Sequence, residues 1–160
     1  KVRQLGHDAL PRRPGHEMVA AEALQLERRG VFEPNRDAYL QVVHGKTASL
    51  FGWALSAGTT LGGLGEDTRG SLTRAGTALG LAFQVVDDIL DVEGSVEDLG
   101  KIPGGDKVHG KATYPSLAGL KGARAEAHRL RTIAIQHIEP FGPAARPLEL
   151  IANFVVDRGQ

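Results

Sequence analysis

Apolar residues recur at intervals of three and four along most of the chain, which is the spacing that places side chains on one face of a helix. The pattern predicts a first helix over residues 18–28. A second helix is capped by Asn35 or Asp37, because a short polar side chain can accept a bond from the free amides of the first turn. This second helix runs through Leu55, and Gly58 marks its end.

The remaining apolar stripes predict three more helices. One begins at Asp67 and reaches Asp91. Another has Pro115 in its first turn and is broken at Pro140, and a short last helix covers residues 148–155. No alternating pattern predicts a strand, and aromatic residues make up only 5% of the chain, so the predicted fold class is all-α.

Two segments do not fit the helical pattern. Residues 1–16 are rich in proline and glycine and are predicted to be a flexible lead-in to one helical domain over residues 17–160. Residues 94–113 combine many glycines with charged side chains. We interpret them as a functional loop, because a connection of this length without secondary structure of its own usually carries function.

The charge balance and composition exclude several classes of function. With 19 basic and 19 acidic residues, the net charge of zero argues against a general nucleic-acid binder and against a polybasic membrane surface. The absence of cysteine excludes disulfide scaffolds, thiolate zinc sites and cysteine nucleophiles. No apolar run approaches the ~18 residues of a membrane span, and none follows the N-terminus as in a signal peptide, so we expect a cytoplasmic protein.

Three aspartates interrupt the apolar stretch that ends the helix reaching Asp91. Asp87 and Asp91 are four residues apart and share one helix face, with Asp88 offset beside them. Carboxylates so close together repel each other when they have no positive partner, and a divalent cation removes that cost. Oxygen ligands favour Mg²⁺, which binds through one or two carboxylates together with waters and substrate phosphates. The alternative interpretation is an ordinary solvated stripe of an amphipathic helix.

Three lysines favour a diphosphate as the ligand. Lys101 and Lys111 lie in the glycine-rich loop, 10 and 20 residues after Asp91. Lys46, followed by Thr47, interrupts an apolar helix. Ammonium groups and a flexible backbone suit an anion whose charge Mg²⁺ only partly neutralises. Taken alone, the loop would be a solvated connection and Lys46 would extend into solvent.

Together these segments resemble the C-terminal half of the trans-polyprenyl diphosphate synthases, the family of the farnesyl and geranylgeranyl diphosphate synthases. Order and spacing agree from about Met18 to the end of the chain. The matching segments are residues 46–48, 80–84, 87–91, 99–101, 106, 110–111, 113–115 and 154–158.

The resemblance implies a partial isoprenoid-synthase-type helical bundle, homodimeric, with a deep cavity between its helices. It implies a Mg²⁺-dependent, head-to-tail condensation of isopentenyl diphosphate with an allylic prenyl diphosphate. By motif match, Asp87 would ligate one Mg²⁺, and Asp88 and Asp91 would support that ion through waters.

The resemblance also implies roles for residues outside the aspartate turn. Lys46, Lys101 and Lys111 would contact the allylic diphosphate. Gln84 and Thr47 would stabilise the carbocation that remains when diphosphate departs, and isopentenyl diphosphate would attack that cation.

The sequence departs from the family in three places. It lacks the first aspartate-rich motif that the family carries upstream, and it lacks the basic residues that bind isopentenyl diphosphate. Glu22 and Gln25 are similar to a variant found in some longer-chain synthases. At 160 residues the chain is roughly half of such an enzyme, so we expect an incomplete enzyme with little or no turnover by itself.

Three alternatives stay open at this stage. A non-catalytic subunit that regulates a prenyl diphosphate synthase is favoured by the missing first motif, although it would not need the retained aspartates and lysines. A class I terpene cyclase would need an Asn/Ser/Glu metal triad, which we do not find in the sequence. The third alternative is a plain helical bundle with a chance acidic turn.

Overall fold

The computed structural model describes residues 10–27, 35–93 and 112–158. All regular secondary structure in these residues is helical, which confirms the all-α prediction. The elements are α1 (Gly15–Glu27), α2 (Arg36–Val43), a π-helical segment (His44–Ala48), α3 (Ser49–Leu61), α4 (Glu66–Glu93), α5 (Tyr114–Ile138), a 3₁₀ segment (Glu139–Ala145) and α6 (Arg146–Asp157).

Two predicted helix starts are confirmed by their capping bonds. The Asn35 side chain accepts bonds from the backbone amides of Asp37 and Ala38, at 2.9 and 3.2 Å. At the start of α5, Thr113 and Ser116 form a reciprocal capping box, and Pro115 lies in the first turn. Each cap satisfies amides that the helix itself leaves without a partner.

Two other boundaries differ from the prediction. Helix α1 begins at Gly15 rather than at residue 18, because the Pro14 carbonyl already accepts a bond from the Met18 amide at 2.9 Å. Helix α3 passes through Gly58 and ends at Leu61. Gly62 and Gly63 follow it, and Gly63 takes a φ of 68° that favours glycine. Residues 1–9 of the predicted lead-in and residues 94–111 of the predicted loop lie outside the described residues.

Helix α4 is the centre of the bundle. It contacts α2, the π-helical segment, α3, α5 and α6. The core is built from small and branched side chains, in which α4 supplies Ala78, Leu79, Ala82, Val85, Val86 and Ile89, α5 supplies Ala123, Ala127, Leu130 and Ala134, and α6 supplies Ala152, Val155 and Val156. None of the helices in the described part of the chain is both long enough and apolar enough to span a lipid bilayer.

The backbone of α4 is in direct contact with the backbones of α3 and of the π-helical segment. A Cβ atom at Gly76 would lie 2.5 Å from the carbonyl oxygen of Phe51, and one at Gly80 would lie 2.6 Å from the Cα of Ala48. Such distances are too short for any side chain, so both positions require glycine. The close approach brings the C-terminal end of the π-helical segment against the middle of α4.

We expect Gly76→Ala to destabilise the protein by about 1–3 kcal/mol, because the added methyl would force the two backbones apart. Gly70→Ala is the matched control on the same helix, since its Cβ would lie 3.6 Å from the flexible end of Arg74. The control should gain up to about 1 kcal/mol from helix propensity. Urea unfolding measures both, and equal effects of the two substitutions would contradict the packing argument.

Candidate active site

Lys46 and Thr47 lie in the π-helical segment rather than in the single α-helix that the sequence predicts. The Ser49 amide bonds to the His44 carbonyl, five residues back, and the Ser49 hydroxyl donates to the Gly45 carbonyl at 2.8 Å. Helix α1 crosses here, and a Cβ at Gly45 would lie only 2.8 Å from the Cβ of Ala21. Local widening of this kind is common at functional sites.

The Lys46 ammonium bonds to α1. Its Nζ lies 2.6 Å from Oε2 of Glu22 and 2.8 Å from Oε1 of Gln25. The side chain is half exposed and therefore neither buried in the bundle nor extended freely into solvent. The sequence had singled out all three residues, but had not predicted that they bond to one another.

Thr47 and Gln84 meet across the close contact between the π-helical segment and α4. The Thr47 hydroxyl donates to Oε1 of Gln84 at 3.3 Å, and Nε2 of Gln84 donates to Oδ1 of Asp88 at 3.1 Å. Gln84 and Asp88 are four residues apart and therefore neighbours on one face of α4. The structure thus brings together three of the residues that the sequence singled out.

Asp88 is buried, with 1% of the residue exposed. Its Oδ2 atom accepts a bond from the Tyr39 hydroxyl on α2 at 2.7 Å and one from the Tyr114 amide at the start of α5 at 2.9 Å. Burial and the neighbouring carboxylate of Asp88 raise the pKa of Tyr39, which therefore stays a donor. One carboxylate thus bonds to α2, α4 and α5.

Asp87 and Asp91 differ in exposure although they are one turn apart. The Asp87 side chain is 40% exposed and forms an ion pair with Arg158, at the end of α6. Arg158 also donates to the Phe83 carbonyl at 3.2 Å and lies 4.1 Å above the Phe83 ring. Only 3% of Asp91 is exposed. Asp87 and Asp88 both have partners on elements distant in the sequence, which the sequence alone did not predict.

Sequence reasoning missed three residues of this site. Tyr39 is 49 residues from Asp88, and Arg158 is 71 residues from Asp87. Tyr114 and Arg158 belong to segments that carried the family resemblance, and this was the available signal for them. For Tyr39 the only signal was a polar hydroxyl on the apolar face of a predicted helix.

The carboxylates present fit a Mg²⁺ ion held mainly by other groups. Within residues 10–27, 35–93 and 112–158, no three His, Asp or Glu side chains converge to hold a metal by themselves. Mg²⁺ ordinarily binds through one or two carboxylates, with waters and phosphates completing its shell, and the accessible carboxylate of Asp87 could be one of them. Lys101 and Lys111 lie outside the described residues.

A second charged cluster lies next to the tyrosine whose amide binds Asp88. Glu126 is buried on α5 and accepts two bonds from Arg129, both at 2.7 Å, and one from Arg36 at 3.1 Å. Arg36 also donates to the Tyr114 hydroxyl at 3.1 Å. The bonds from Arg129, aided by Arg36, lower the pKa of Glu126 below its ordinary value. This cluster ties the start of α2 to the residue whose amide binds Asp88.

Comparison with known proteins shows similarity over most of the chain. Residues 12–140 match the family model described as Polyprenyl synthetase. Geranylgeranyl pyrophosphate synthase 9, chloroplastic, from Arabidopsis thaliana is 39% identical over 142 residues, which cover 88% of this chain and 38% of that protein. The chain therefore spans less than half the length of this curated relative.

Solved structures show the same fold. A decaprenyl diphosphate synthase from Rhodobacter capsulatus has a TM-score of 0.82 and 28% identity, and the match covers 92% of this chain and 57% of that one. A polyprenyl synthase from Caulobacter crescentus, complexed with calcium and isoprenyl diphosphate, also has a TM-score of 0.82 and 28% identity, covering 91% and 57% of the two chains. The predicted isoprenoid-synthase-type bundle is thereby confirmed.

We expect Tyr39→Phe to lower the free energy of unfolding by about 1–3 kcal/mol, because the buried Asp88 carboxylate loses a donor. Tyr114→Phe is the control, since its bond to Asp88 comes from the backbone amide and survives the substitution. The control should cost less, about 0.5–1.5 kcal/mol for the lost bond to Arg36. Equal losses in urea unfolding would show that Asp88 does not depend on the Tyr39 hydroxyl.

Acid should weaken the Glu126 cluster. Because the folded state lowers the pKa of Glu126, its stabilisation is present above the ordinary value of 4.5 and is lost as the pH falls through the lower folded value. We expect Glu126→Gln to cost about 1–3 kcal/mol at neutral pH and progressively less on acidification. Urea unfolding across the acid range tests this, and Glu139→Gln at an exposed position of the chain is the control, which should cost less than Glu126→Gln at neutral pH. A cost for Glu126→Gln that does not vary with pH would contradict the assignment.

Proposed function

Because the chain belongs to the polyprenyl synthetase family, we propose that it forms the diphosphate-binding half of a prenyltransferase. The reaction is a Mg²⁺-dependent, head-to-tail condensation of isopentenyl diphosphate with an allylic prenyl diphosphate. The observation that supports this most is the linked set of Thr47, Gln84 and Asp88, with the half-exposed Asp87 next to it. A relative is named a geranylgeranyl synthase, and a structural neighbour was solved with isoprenyl diphosphate.

In this proposal the diphosphate lies over the exposed end of the aspartate turn. Asp87 would hold Mg²⁺, and Asp91 would support the ion. Asp88, to which the resemblance also gives a supporting role, is buried with both carboxylate oxygens already hydrogen-bonded, so it would not contact the ion or its waters. When bound, the metal neutralises the charge that develops on the departing diphosphate. Lys46, Lys101 and Lys111 contact the diphosphate, and Lys46 would have to exchange its bonds to α1 for phosphate oxygens.

The other half of the chemistry is stabilisation of the allylic cation. Oxygens of Gln84 and Thr47 lie 3.3 Å apart on facing elements, so both can face one cationic carbon. Oxygen dipoles that are already oriented before the reaction stabilise developing positive charge at little reorganisation cost. The apolar helices around them exclude the water that would otherwise capture the cation. The addition product then loses a proton to the released diphosphate, which completes the condensation.

The chain contains one Asp-Asp-x-x-Asp motif, whereas two are implied by the resemblance. We therefore expect little or no turnover from these 160 residues by themselves, with the missing first motif supplied by additional polypeptide. We also propose a homodimer. A cytoplasmic location stays a prediction, because the Arabidopsis thaliana geranylgeranyl pyrophosphate synthase 9 is named chloroplastic.

The same observation supports a second candidate, a non-catalytic subunit that binds diphosphate and modulates a synthase. Condensation assays with labelled isopentenyl diphosphate and an allylic diphosphate distinguish the two. Product formation once a chain carrying the first motif is added supports the catalytic role. Mg²⁺-dependent binding of diphosphate without turnover, even beside such a chain, supports the regulatory role. Full turnover by this chain alone would contradict the expectation that it is incomplete.

We expect Asp87→Asn to weaken Mg²⁺-dependent binding of inorganic diphosphate at least about 10-fold, since even loss of an outer-shell partner weakens metal binding by about that factor. Isothermal titration with Mg²⁺ and inorganic diphosphate measures the effect. Asp67→Asn, an exposed aspartate in the first turn of the same helix, is the control and should bind like the parent. Equal binding by parent and Asp87→Asn would remove Asp87 from the site.

A further inference from the structure

We propose that Asp88 is a positioning residue that decides which end of the Gln84 side-chain amide faces Thr47 and the substrate. The amide of Gln84 has a carbonyl oxygen at one end and an NH₂ group at the other, with opposite dipoles. The proposal rests on the proposed function only where it says that a cationic carbon lies opposite this amide.

The orientation of Gln84 follows from what a carboxylate can do. An ionised carboxylate accepts hydrogen bonds and cannot donate them. Oδ1 of Asp88 lies 3.1 Å from Nε2 of Gln84, so the NH₂ end must point toward Asp88. The carbonyl oxygen is then left facing Thr47, whose hydroxyl lies 3.3 Å away. A hydroxyl can donate or accept, so Thr47 alone would not fix the amide.

Asp88 is itself held in place by donors on the opposite side. The Tyr39 hydroxyl and the Tyr114 amide both donate to Oδ2, from two other helices. Donors at Oδ2 leave Oδ1 aimed along α4 toward Gln84. With only 1% of Asp88 exposed, solvent has little access with which to reorient the carboxylate. The order of positioning therefore runs from Tyr39 and Tyr114 through Asp88 to Gln84.

The consequence for the reaction is electrostatic. With the carbonyl oxygen facing Thr47, the negative end of the amide dipole is turned toward the substrate side and attracts positive charge. The reverse orientation would present two N–H groups and repel it. Asp88 thus acts on the cation through Gln84, while its exposed neighbour Asp87 is the residue placed to meet metal and diphosphate.

The substitution Asp88→Asn tests this directly. The two donors at Oδ2 require an oxygen there, so the introduced amide must place its NH₂ group toward Gln84. The side-chain amide of Gln84 should then flip, so that its carbonyl oxygen faces position 88 and its NH₂ group faces Thr47. In a ¹⁵N-labelled chain, nuclear Overhauser contacts between the Nε2 protons of Gln84 and the Thr47 methyl should appear in this variant and be absent from the parent. The same pattern in both proteins overturns the proposal.

A swapped pair provides the second test. Gln84→Glu alone sets two carboxylates against each other, and Asp88→Asn alone inverts the amide. In the double variant, the amide NH₂ at position 88 donates to one carboxylate oxygen at position 84, and the other oxygen at position 84 faces Thr47. The net charge is that of the parent. Urea midpoints should fall in both single variants and recover in the double variant, which measures the coupling. If Asp88→Asn does not fold, the double variant decides, and a double variant that also stays unfolded overturns the proposal.

Titration with Mg²⁺ and inorganic diphosphate separates this role from metal support. A positioning role predicts that Asp88→Asn binds like the parent, whereas Asp87→Asn binds more weakly. A loss in Asp88→Asn as large as that in Asp87→Asn overturns the proposal in favour of metal support. Inversion of Gln84 in a chain that never binds diphosphate would uphold the positioning role and contradict the proposed function. A failure of the positioning role can therefore be told apart from a failure of the proposed function.

Discussion

A single buried carboxylate is the interaction on which the rest of the structure depends. A charge in the interior is costly unless several hydrogen bonds replace its water shell, and Asp88 obtains donors from α2, α4 and α5. One donor lies on the same helix as Asp88 and the other two come from α2 and α5. Satisfying the charge therefore also fixes the placement of α2 and α5 relative to α4. The Glu126 cluster repeats this arrangement at the start of α2, where two arginines satisfy one carboxylate.

The site combines this rigid interior with an accessible surface by using neighbouring residues differently. Asp87 and Asp88 are adjacent in sequence, yet one is 40% exposed and paired with Arg158 whereas the other is 1% exposed. A helix makes this possible, since consecutive residues point about 100° apart. The glycines of α4 complete the arrangement, because they let the π-helical segment come close enough for Thr47 to reach Gln84.

Local signals in the sequence predicted much of the fold and part of the site. Some features depend only on residues close together in the sequence, and the structure confirms them. They are the Asn35 cap of α2, the position of Pro115 in the first turn of α5 and the all-α fold class. The resemblance to the polyprenyl synthases is likewise confirmed. The partners of Asp87 and Asp88 could not be predicted, because Arg158 and Tyr39 reach them only after the chain has folded back. The π-helical segment was not predicted either, and it lies where α1 crosses, a tertiary contact that local sequence patterns do not report.

The π-helical segment holds two adjacent residues that bond to different helices. Lys46 bonds to α1 and Thr47 to α4, so the segment is the point where the chain changes helical phase. One residue added or removed just before it would rotate these side chains by about 100° and also shift them by about 1.5 Å along the helix axis. The ammonium and the hydroxyl would then lose their present partners on α1 and α4. The length of the chain between the Asn35 cap and Lys46 is therefore as much a part of the site as the identity of its residues.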